Sequence, residues 1–348
     1  MPHHRSQERS PGARGQAFGR AQAGAVANTV AVYGRLLEGA DLRGAGAVVR
    51  EAIGARFPDL VDEVEGIAAG AGVRADELLA INARTELLGP GVAGECSVAA
   101  RVGAGGASLA QNWDWHPDLR ASRVVWSVEP SGGPPFTTVT EAGILGKLGV
   151  NAPGVACGLN FLTSSGDGGV AAGALPIHVL LRCVLDRCGS VLEALALLMG
   201  ARVTASSCVT LAGVEPAGPC VVAVELSPGG AGVVWPDERG LLVHTNHFAV
   251  APAGVRDTQP AEHPSTLLRA WKLAALVRGG VEAEAALASH FPAPEGICRH
   301  EDATAAWPDR RATLLSVVLD PAAPALRLAA GPPCEAAFAD VELPWAAP

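Results

Sequence analysis

Three short segments of the sequence carry side chains that could do nucleophilic or acid–base chemistry, and the first contains Cys96. A Gly/Pro-rich segment (89–95), with the composition of a flexible loop, leads into a run of alternating small and apolar residues that begins at Cys96. Gly103–Gly106 predicts the turn of a β-hairpin, in which position 96 lies opposite about position 113 and diagonal to Asp114. A thiol beside a carboxylate at the start of a strand could be a nucleophile. These residues alone fit a buried cysteine beside a surface aspartate better.

The second segment is the run His244-Thr245-Asn246-His247, which ends an apolar strand. Either histidine could act as a general base, or the pair could bind a metal. Residues i and i+3 of a strand face opposite ways, so a shared metal would need a bend. An asparagine at a strand end more naturally donates an N–H to an oxyanion, and this favours Asn246 as an oxyanion donor.

The third segment contains Arg310 and directly precedes the apolar strand 312–319. An arginine at this place can hold a carboxylate, either one of the protein's own or one from a substrate. A solvated surface arginine fits the composition equally well. The glycines at 103–106 do not form a dinucleotide-binding loop, because no helix follows them.

Composition limits the kind of protein that these residues serve. The 348-residue chain is 49% apolar, with 26 Lys and Arg against 35 Asp and Glu, for a net charge of −9. An acidic chain is a poor partner for nucleic acid or an anionic membrane, and no uncharged apolar stretch reaches the ~20 residues of a spanning helix. The eight cysteines form no CxxC pair, and no export signal is recognisable. We therefore expect a cytoplasmic protein with free thiols and no metal site.

The elements that must position these residues fall into a helical part and a β-rich part. Residues 1–18 are polar and predicted to be disordered, and residues 20–88 are predicted to be helical. From residue 96 onward strand patterns dominate, interrupted by predicted helices near 176–188, 191–199, 265–278 and 282–290. Antiparallel sheets with helical insertions and no long linker predict a layered α+β sandwich in one domain.

Taken together, the segments resemble the acyl-coenzyme A:6-aminopenicillanate (isopenicillin N) acyltransferases and their bacterial relatives, within the N-terminal-nucleophile (Ntn) hydrolases. The segments occur in the family's order from about residue 60 to 330, and their combination is specific although no single motif decides. The resemblance rests on GECSVAA (94–100), QNWDW (111–115), TEAGILGKLGVNAPGVACGLN (140–160), LPIHVLLRCVLD (175–186), VHTNH (243–247), GICR (296–299) and RRATLLSVVLD (310–320).

The resemblance implies a four-layer αββα sandwich of antiparallel sheets and a zymogen that cuts itself before Cys96. After this cut, the helical segment 19–95 belongs to an α chain, and residues 96–348 form the catalytic β chain. The two chains stay associated in one domain. Glu95 stands where the family commonly has glycine, so an added side chain must fit the cleavage site.

The resemblance also implies the roles of the site residues. Cys96 matches the nucleophile, Asp114 the aspartate of the NWD motif and Asn246 the asparagine of the HTN motif. Arg310 matches the arginine that precedes the Ala-Thr strand. Further side chains are expected to contact the substrate or to pack beside the site, namely Trp113, Trp115, Phe161, His244 and His247.

The expected reaction forms an acyl-Cys96 thioester and passes the acyl group to an amine or to water. The substrate is a small-molecule amide or acyl thioester, in a reaction that could belong to secondary metabolism. Neither a metal nor another cofactor is expected, and a coenzyme A thioester would be a substrate. The aromatic candidates suggest an apolar acyl group.

Three alternatives remain open from the sequence. A strict amidohydrolase of the same fold uses water as its acceptor and shares the acyl-enzyme. A papain-like protease would pair Cys96 with His244 or His247 and would need no new N-terminus. A non-catalytic relative would keep the fold as a binding module. The mass and first residue of the mature chain separate the protease from the self-processing enzymes. Failure to self-cleave, with no labelling of Cys96 by thiol reagents, would favour the non-catalytic relative.

Overall fold

Two β-sheets lie face to face in the computed structural model, which describes residues 1–88 and 95–346 and, at Glu95, the backbone alone. The large sheet has the strand order β1-β4-β5-β6-β7-β8-β9-β10 and is antiparallel except for the parallel β1–β4 pair. Its strands are β1 His3–Ser6, β4 Arg123–Val128, β5 Phe136–Glu141, β6 Leu148–Asn151, β7 Val155–Phe161, β8 Ser207–Glu215, β9 Gly218–Ser227 and β10 Gly230–Val234.

The small sheet is antiparallel throughout and has the order β11-β2-β3-β12-β13-β14. Its strands are β2 Glu95–Gly103, β3 Gly106–Trp115, β11 Leu241–His244, β12 Ala312–Asp320, β13 Ala325–Ala329 and β14 Ala339–Val341. The β2–β3 pair is the predicted hairpin, with Cys96 opposite Trp113. Gly106 closes its turn with a φ of 107°, which favours glycine. The remainder of the loop predicted to be flexible, residues 89–94, lies outside the described residues.

Helices cover the outer faces of both sheets. Helices α7 and α8 pack on the large sheet, and α10 and α11 pack on the small sheet, while β2 and β3 face β7, β8 and β9 across the interior. This arrangement confirms the predicted α+β, four-layer αββα fold. The helices are α1 Pro11–Ala21, α2 Ala23–Leu36, α3 Leu42–Gly54, α4 Pro58–Ala71, α5 Ala75–Asn82, α6 Arg84–Leu88, α7 Ile177–Arg187, α8 Val191–Met199, α9 Gln259–Glu262, α10 Ser265–Arg278 and α11 Ala283–Leu287. Within the described parts of the chain, none is long and apolar enough to cross a bilayer.

The N-terminal 18 residues are ordered, which corrects the prediction of disorder. His3–Ser6 adds a strand to the edge of the large sheet, where Trp126 Nε1 donates to Ser6 Oγ at 2.8 Å. Phe18 is fully buried, with its ring centroid 4.3 Å from that of Trp126. A polar segment can pair in this way because the free edge of a sheet supplies backbone partners regardless of side-chain type. Composition alone does not reveal such an edge.

A buried ionic cluster attaches the N-terminal helices to the layer that covers the large sheet. The Glu63 carboxylate on α4 accepts from Arg14 Nε on α1 at 2.7 Å and from Arg182 Nη1 on α7 at 2.5 Å. All three side chains are nearly or fully buried. Ion pairs buried away from water therefore hold the N-terminal helices to α7.

We expect Glu63→Ala to lower the free energy of unfolding by about 3–5 kcal/mol, because it leaves the buried Arg14 guanidinium without its carboxylate and leaves Arg182 with one of its two former carboxylate partners, Asp186. Urea unfolding in a Cys96→Ala background keeps the chain continuous for this measurement. Glu65→Ala is the matched control: its carboxylate lies two residues along the same helix, is 39% exposed and pairs with Arg50. The control should cost less than about 1 kcal/mol. Equal losses for the two variants would contradict a special role for the buried cluster.

Candidate active site

Cys96 is held by its backbone at the start of β2, with its thiol turned into a cavity. The backbone N–H of Cys96 donates to Asn246 Oδ1 at 3.0 Å, and its carbonyl accepts from Arg269 Nη1 at 3.0 Å. The residue is 7% exposed. Polar partners thus fix the peptide groups on both sides of the Cα atom, and with them the direction of the Cα–Cβ bond.

The cavity has a volume of about 40 Å³, which is room for a few water molecules. Five of the ten site residues that the sequence predicted lie in its wall. Among the lining residues are Cys96, Trp113, Asp114, Trp115, Lys147 and Phe161. An acyl group larger than a few atoms would require this cavity to widen.

Asn246 reaches Cys96 because of strand register. In the β11–β2 pair His244 lies opposite Val98, so two further residues along the chain bring position 246 level with position 96. The Asn246 backbone N–H donates to Thr266 Oγ1 at 2.8 Å, and its side-chain Nδ2 donates to the Phe161 carbonyl at 3.0 Å. The side chain thus presents its oxygen to Cys96, and its role as an oxyanion donor stays a prediction.

Asp114 is brought beside Cys96 by the hairpin, as the sequence predicted. It is 1% exposed, lies opposite the backbone of Glu95, and its Oδ1 accepts from Thr313 Oγ1 on β12 at 2.6 Å. Burial first, and then the Asp114 carboxylate, raise the pKa of the Cys96 thiol to about 12. In the uncut chain the thiol is therefore protonated at neutral pH and needs a base in order to react.

Lys147 is a site residue that the sequence analysis missed. Its Nζ lies 3.5 Å from the centroid of the Trp113 ring and 3.2 Å from Glu141 Oε2. Burial lowers the pKa of Lys147 to about 7, against the opposing attraction of Glu141. A lysine that titrates near neutral pH in this wall can exchange a proton with the site. The signal was present, since Lys147 is one of only two lysines in the chain and lies in an apolar stretch.

Arg269 is the arginine that contacts the Cys96 backbone, and Arg310 is not brought to the site. Arg310 has a 31% exposed side chain and donates to the carbonyls of Ala303 and Ala305 at 3.3 Å. Arg269, on α10, is fully buried and donates through Nη2 to Asn246 Oδ1 at 2.9 Å as well as to the Cys96 carbonyl. Arg310, predicted to be the site arginine, therefore makes neither of these contacts, and Arg269 makes both. The sequence does not show which arginine reaches the site, because that depends on how distant helices and strands pack.

This correction predicts different outcomes for two otherwise identical substitutions. Arg269→Gln removes the donors that hold Cys96 and Asn246, and we expect self-cleavage and turnover to fall by roughly tenfold or more. Arg310→Gln should leave both within about twofold of the parent, since Arg310 contacts only backbone carbonyls and Glu301 among its described partners. Cleavage is followed by intact mass and folding by circular dichroism. A larger loss for Arg310→Gln would restore the original assignment.

The two histidines near Asn246 pack beside the site. His244 Nε2 lies 2.8 Å from Glu225 Oε1, and His244 Nδ1 donates to the Thr245 carbonyl at 2.8 Å. Burial alone would lower the pKa of His244, but the Cys208 thiol and the Glu225 carboxylate raise it to about 10. Burial lowers the pKa of His247 to about 4, and His247 Nδ1 lies 3.0 Å from Thr266 Oγ1. Neither arrangement supports a papain-like Cys–His pair, because both rings are engaged with other partners.

A family model and one relative match long parts of the chain. The family model described as "Acyl-coenzyme A:6-aminopenicillanic acid acyl-transferase" matches residues 102–334, a match that begins after Cys96. The acyl-coenzyme A:6-aminopenicillanic-acid-acyltransferase 40 kDa form of Emericella nidulans is 29% identical over 194 residues, covering 55% of this chain and 52% of the relative. The alignment thus spans about half the length of that relative.

Two solved structures resemble the chain at low sequence identity. Penicillin V acylase from Agrobacterium tumefaciens has a TM-score of 0.43 at 16% identity, covering 68% of this chain and 83% of its own. A point mutant of conjugated bile acid hydrolase from Clostridium perfringens has a TM-score of 0.46 at 11% identity, covering 71% of this chain and 96% of its own. Because the family model matches well over half of its length, the chain belongs to the acyl-coenzyme A:6-aminopenicillanic acid acyltransferase family.

Proposed function

We propose that the protein is a self-processing Ntn-type acyltransferase or amidohydrolase that forms an acyl-Cys96 thioester and passes the acyl group to an amine or to water. One observation carries the proposal: the backbone nitrogen of Cys96 lies 3.0 Å from Asn246 Oδ1 while the thiol of the same residue lines an aromatic cavity. The nitrogen that a cut would free and the sulfur that would react are thus already positioned by the fold.

The proposed activation is an N→S acyl shift at the Glu95–Cys96 bond. Cys96 Sγ attacks the Glu95 carbonyl carbon, the C–N bond breaks, and the nitrogen takes up the proton that the thiol loses. Water then hydrolyses the thioester, which returns the thiol and releases residues 1–95 with a new carboxyl group. Cys96 becomes the first residue of the β chain and carries a free α-amine.

The free amine would serve as the base for its own thiol. Model α-amines have a pKa of about 7.7–8.0 and thiols one of about 8.5, so proton exchange between them is nearly balanced. Asn246 Oδ1 would accept from the amine in place of the peptide N–H. Arg269, which also binds Asn246 Oδ1 and the Cys96 carbonyl, would favour the neutral amine by repulsion of a second positive charge.

The acyl group would enter the cavity beside Trp113, Trp115 and Phe161, which favour an apolar acyl chain. The substrate is a small-molecule amide or acyl thioester, and a coenzyme A thioester would enter as a substrate. Residues of α6 also line the cavity, so we propose that both chains stay associated after the cut, in a cytoplasmic enzyme. Secondary metabolism is the setting that the acyltransferase relative suggests.

The proposal is tested on purified protein by intact mass and N-terminal sequencing. We expect two chains, with Cys96 as the first residue of the larger one, followed by trapping of an acyl-Cys96 adduct with an N-acyl amide. Adding an acceptor amine then separates transfer from hydrolysis by the ratio of the two products. Active protein that is one continuous polypeptide would contradict the proposal.

A further inference from the structure

Four side chains of types that bind metals come together from separate segments, which follow α11 and β13 along the chain. They are His290, Cys298, His300 and Cys334, and one ligand atom from each lies within 4.8 Å of the other three. His290 and the Cys298-Arg299-His300 run lie between α11 and β12, while Cys334 lies between β13 and β14. We propose that these four residues bind one structural Zn²⁺ ion.

Three of the six distances between the ligand atoms lie near the edge lengths of a tetrahedron around zinc, and the other three are within 4.8 Å. The Cys298 and Cys334 sulfur atoms are 3.5 Å apart, the His290 and His300 Nε2 atoms 3.2 Å, and Cys334 Sγ and His300 Nε2 3.2 Å. Zn–N bonds of about 2.0–2.1 Å and Zn–S bonds of about 2.3 Å give tetrahedral edges of about 3.3–3.8 Å. Two thiolates and two imidazoles are a donor set typical of zinc, and both thiols lose their protons when the metal binds.

His300 also has the kind of partner that orients a metal-bound imidazole. Its Nδ1 lies 3.4 Å from Glu335 Oε1, while its Nε2 faces the cluster. A carboxylate on the far nitrogen fixes the tautomer that leaves Nε2 free for the ion and raises the basicity of the ligand. Glu335 directly follows Cys334, so one short segment supplies both a ligand and the support for another.

The loop that carries three of the ligands is held in shape by the protein. The Cys298 N–H donates to the Ser289 carbonyl at 2.8 Å, and Asn112 Nδ2 donates to the carbonyls of Leu287 and Ile297 at 2.9 and 2.8 Å. A side chain at Gly296 would come within 2.6 Å of the His290 backbone, so the close approach requires glycine. The donors are therefore positioned before any ion arrives. Three of the four ligand residues are exposed, which leaves the site accessible to the ion.

The ion would join two segments that no described strand pair connects. Arg299, between two of the ligands, exchanges hydrogen bonds with Thr313: its N–H donates to Thr313 Oγ1 at 2.8 Å, and its carbonyl accepts from the Thr313 N–H at 2.9 Å. Thr313 Oγ1 in turn donates to Asp114. Four protein ligands leave no open position for substrate, so the role is structural: the ion fastens the 331–336 segment to the loop behind Asp114.

A disulfide is the competing use of the two sulfur atoms. Cys298 and Cys334 lie close enough that oxidation could join them, and the bond would remove both thiolates from the metal site. The sequence analysis expected no metal site because no two cysteines have CxxC spacing. The proposed ligands come from separate segments and do not need that spacing.

The test measures the metal content of untagged wild-type protein after extensive dialysis, whether or not the chain has been cut. We expect one zinc per chain by plasma mass spectrometry, and Co²⁺ added to the chelated protein should give the visible bands of a tetrahedral site with sulfur ligands. Cys334→Ser and His300→Ala replace exposed residues, and each should bring zinc below about 0.1 per chain and lower the melting temperature by several degrees. Cys220→Ser, a half-buried cysteine on β9, is the matched control and should keep one zinc.

Three results would overturn the proposal. The first is wild-type protein with less than about 0.1 zinc per chain that also fails to bind Co²⁺. The second is a Cys298–Cys334 disulfide peptide as the main species under non-reducing conditions. The third is full zinc content in both ligand variants, which would place the metal elsewhere on the chain.

Discussion

Cys96→Ala is expected to yield one continuous 348-residue polypeptide without measurable turnover. The substitution removes the sulfur that attacks the Glu95 carbonyl, so the peptide bond before residue 96 stays intact and its nitrogen stays masked. It also removes the atom that would carry the acyl group. Loss of a covalent nucleophile costs on the order of 10⁴-fold or more in rate.

Intact mass measures the first effect, and turnover of the N-acyl amide that the wild type accepts measures the second. Cys220→Ala is the control, since it removes a thiol on β9 that lies outside the cavity lining, and it should be cut and active as the parent is. Two chains in purified Cys96→Ala would show that this thiol does not drive the cut. Undiminished turnover in an uncut Cys96→Ala chain would remove the nucleophile assignment as well.

Asn246→Ala is expected to lower turnover by about 10²–10³-fold, the usual loss when an oxyanion donor is removed. Asn246 Oδ1 accepts a hydrogen bond from the Cys96 nitrogen. Asn246 Nδ2 donates to the Phe161 carbonyl and could donate to the oxyanion of the acyl intermediate instead. Asn246→Asp separates the two roles. The aspartate keeps an oxygen for the amine but has no N–H, so equal losses for Asp and Ala indicate the oxyanion role, whereas a much smaller loss for Asp indicates the amine-holding role.

Processing must be measured alongside turnover for both Asn246 variants, because a chain that is not cut is inactive for a different reason. His247→Ala is the control one residue away, and it should stay within a few fold of the parent since His247 contacts Thr245 and Thr266. Near-normal turnover of correctly cut Asn246→Ala would exclude this residue from both proposed roles.

The hairpin that carries the nucleophile could be predicted because its information is local. A period of two on either side of Gly103–Gly106 fixes which residues of β2 and β3 face each other, and the observed Cys96–Trp113 pair matches the predicted register. The same register predicts that Asp114 lies beside Cys96. The family resemblance extended this to the four-layer fold, since ordered motifs along the chain carry topology that periodicity does not.

The residues that were missed are long-range partners. Arg269 lies 173 positions from Cys96, and the preference for Arg310 came from motif position alone. Lys147 enters the cavity wall because the two sheets pack face to face, which places a residue before β6 against Trp113 of β3. The ordering of residues 1–18 depends likewise on a free edge at β4.

By itself, then, the sequence determined most of the elements after residue 20, the β2–β3 register, the family and the identity of Cys96, Asp114 and Asn246 as candidates. The tertiary structure decided which arginine contacts Cys96, which lysine lies in the cavity wall beside it, and that His290, Cys298, His300 and Cys334 lie close together. The physical reason is that periodic sequence patterns reveal only contacts between residues that are neighbours along the chain or across a tight turn. Contacts between distant segments are fixed only when sheets and helices pack.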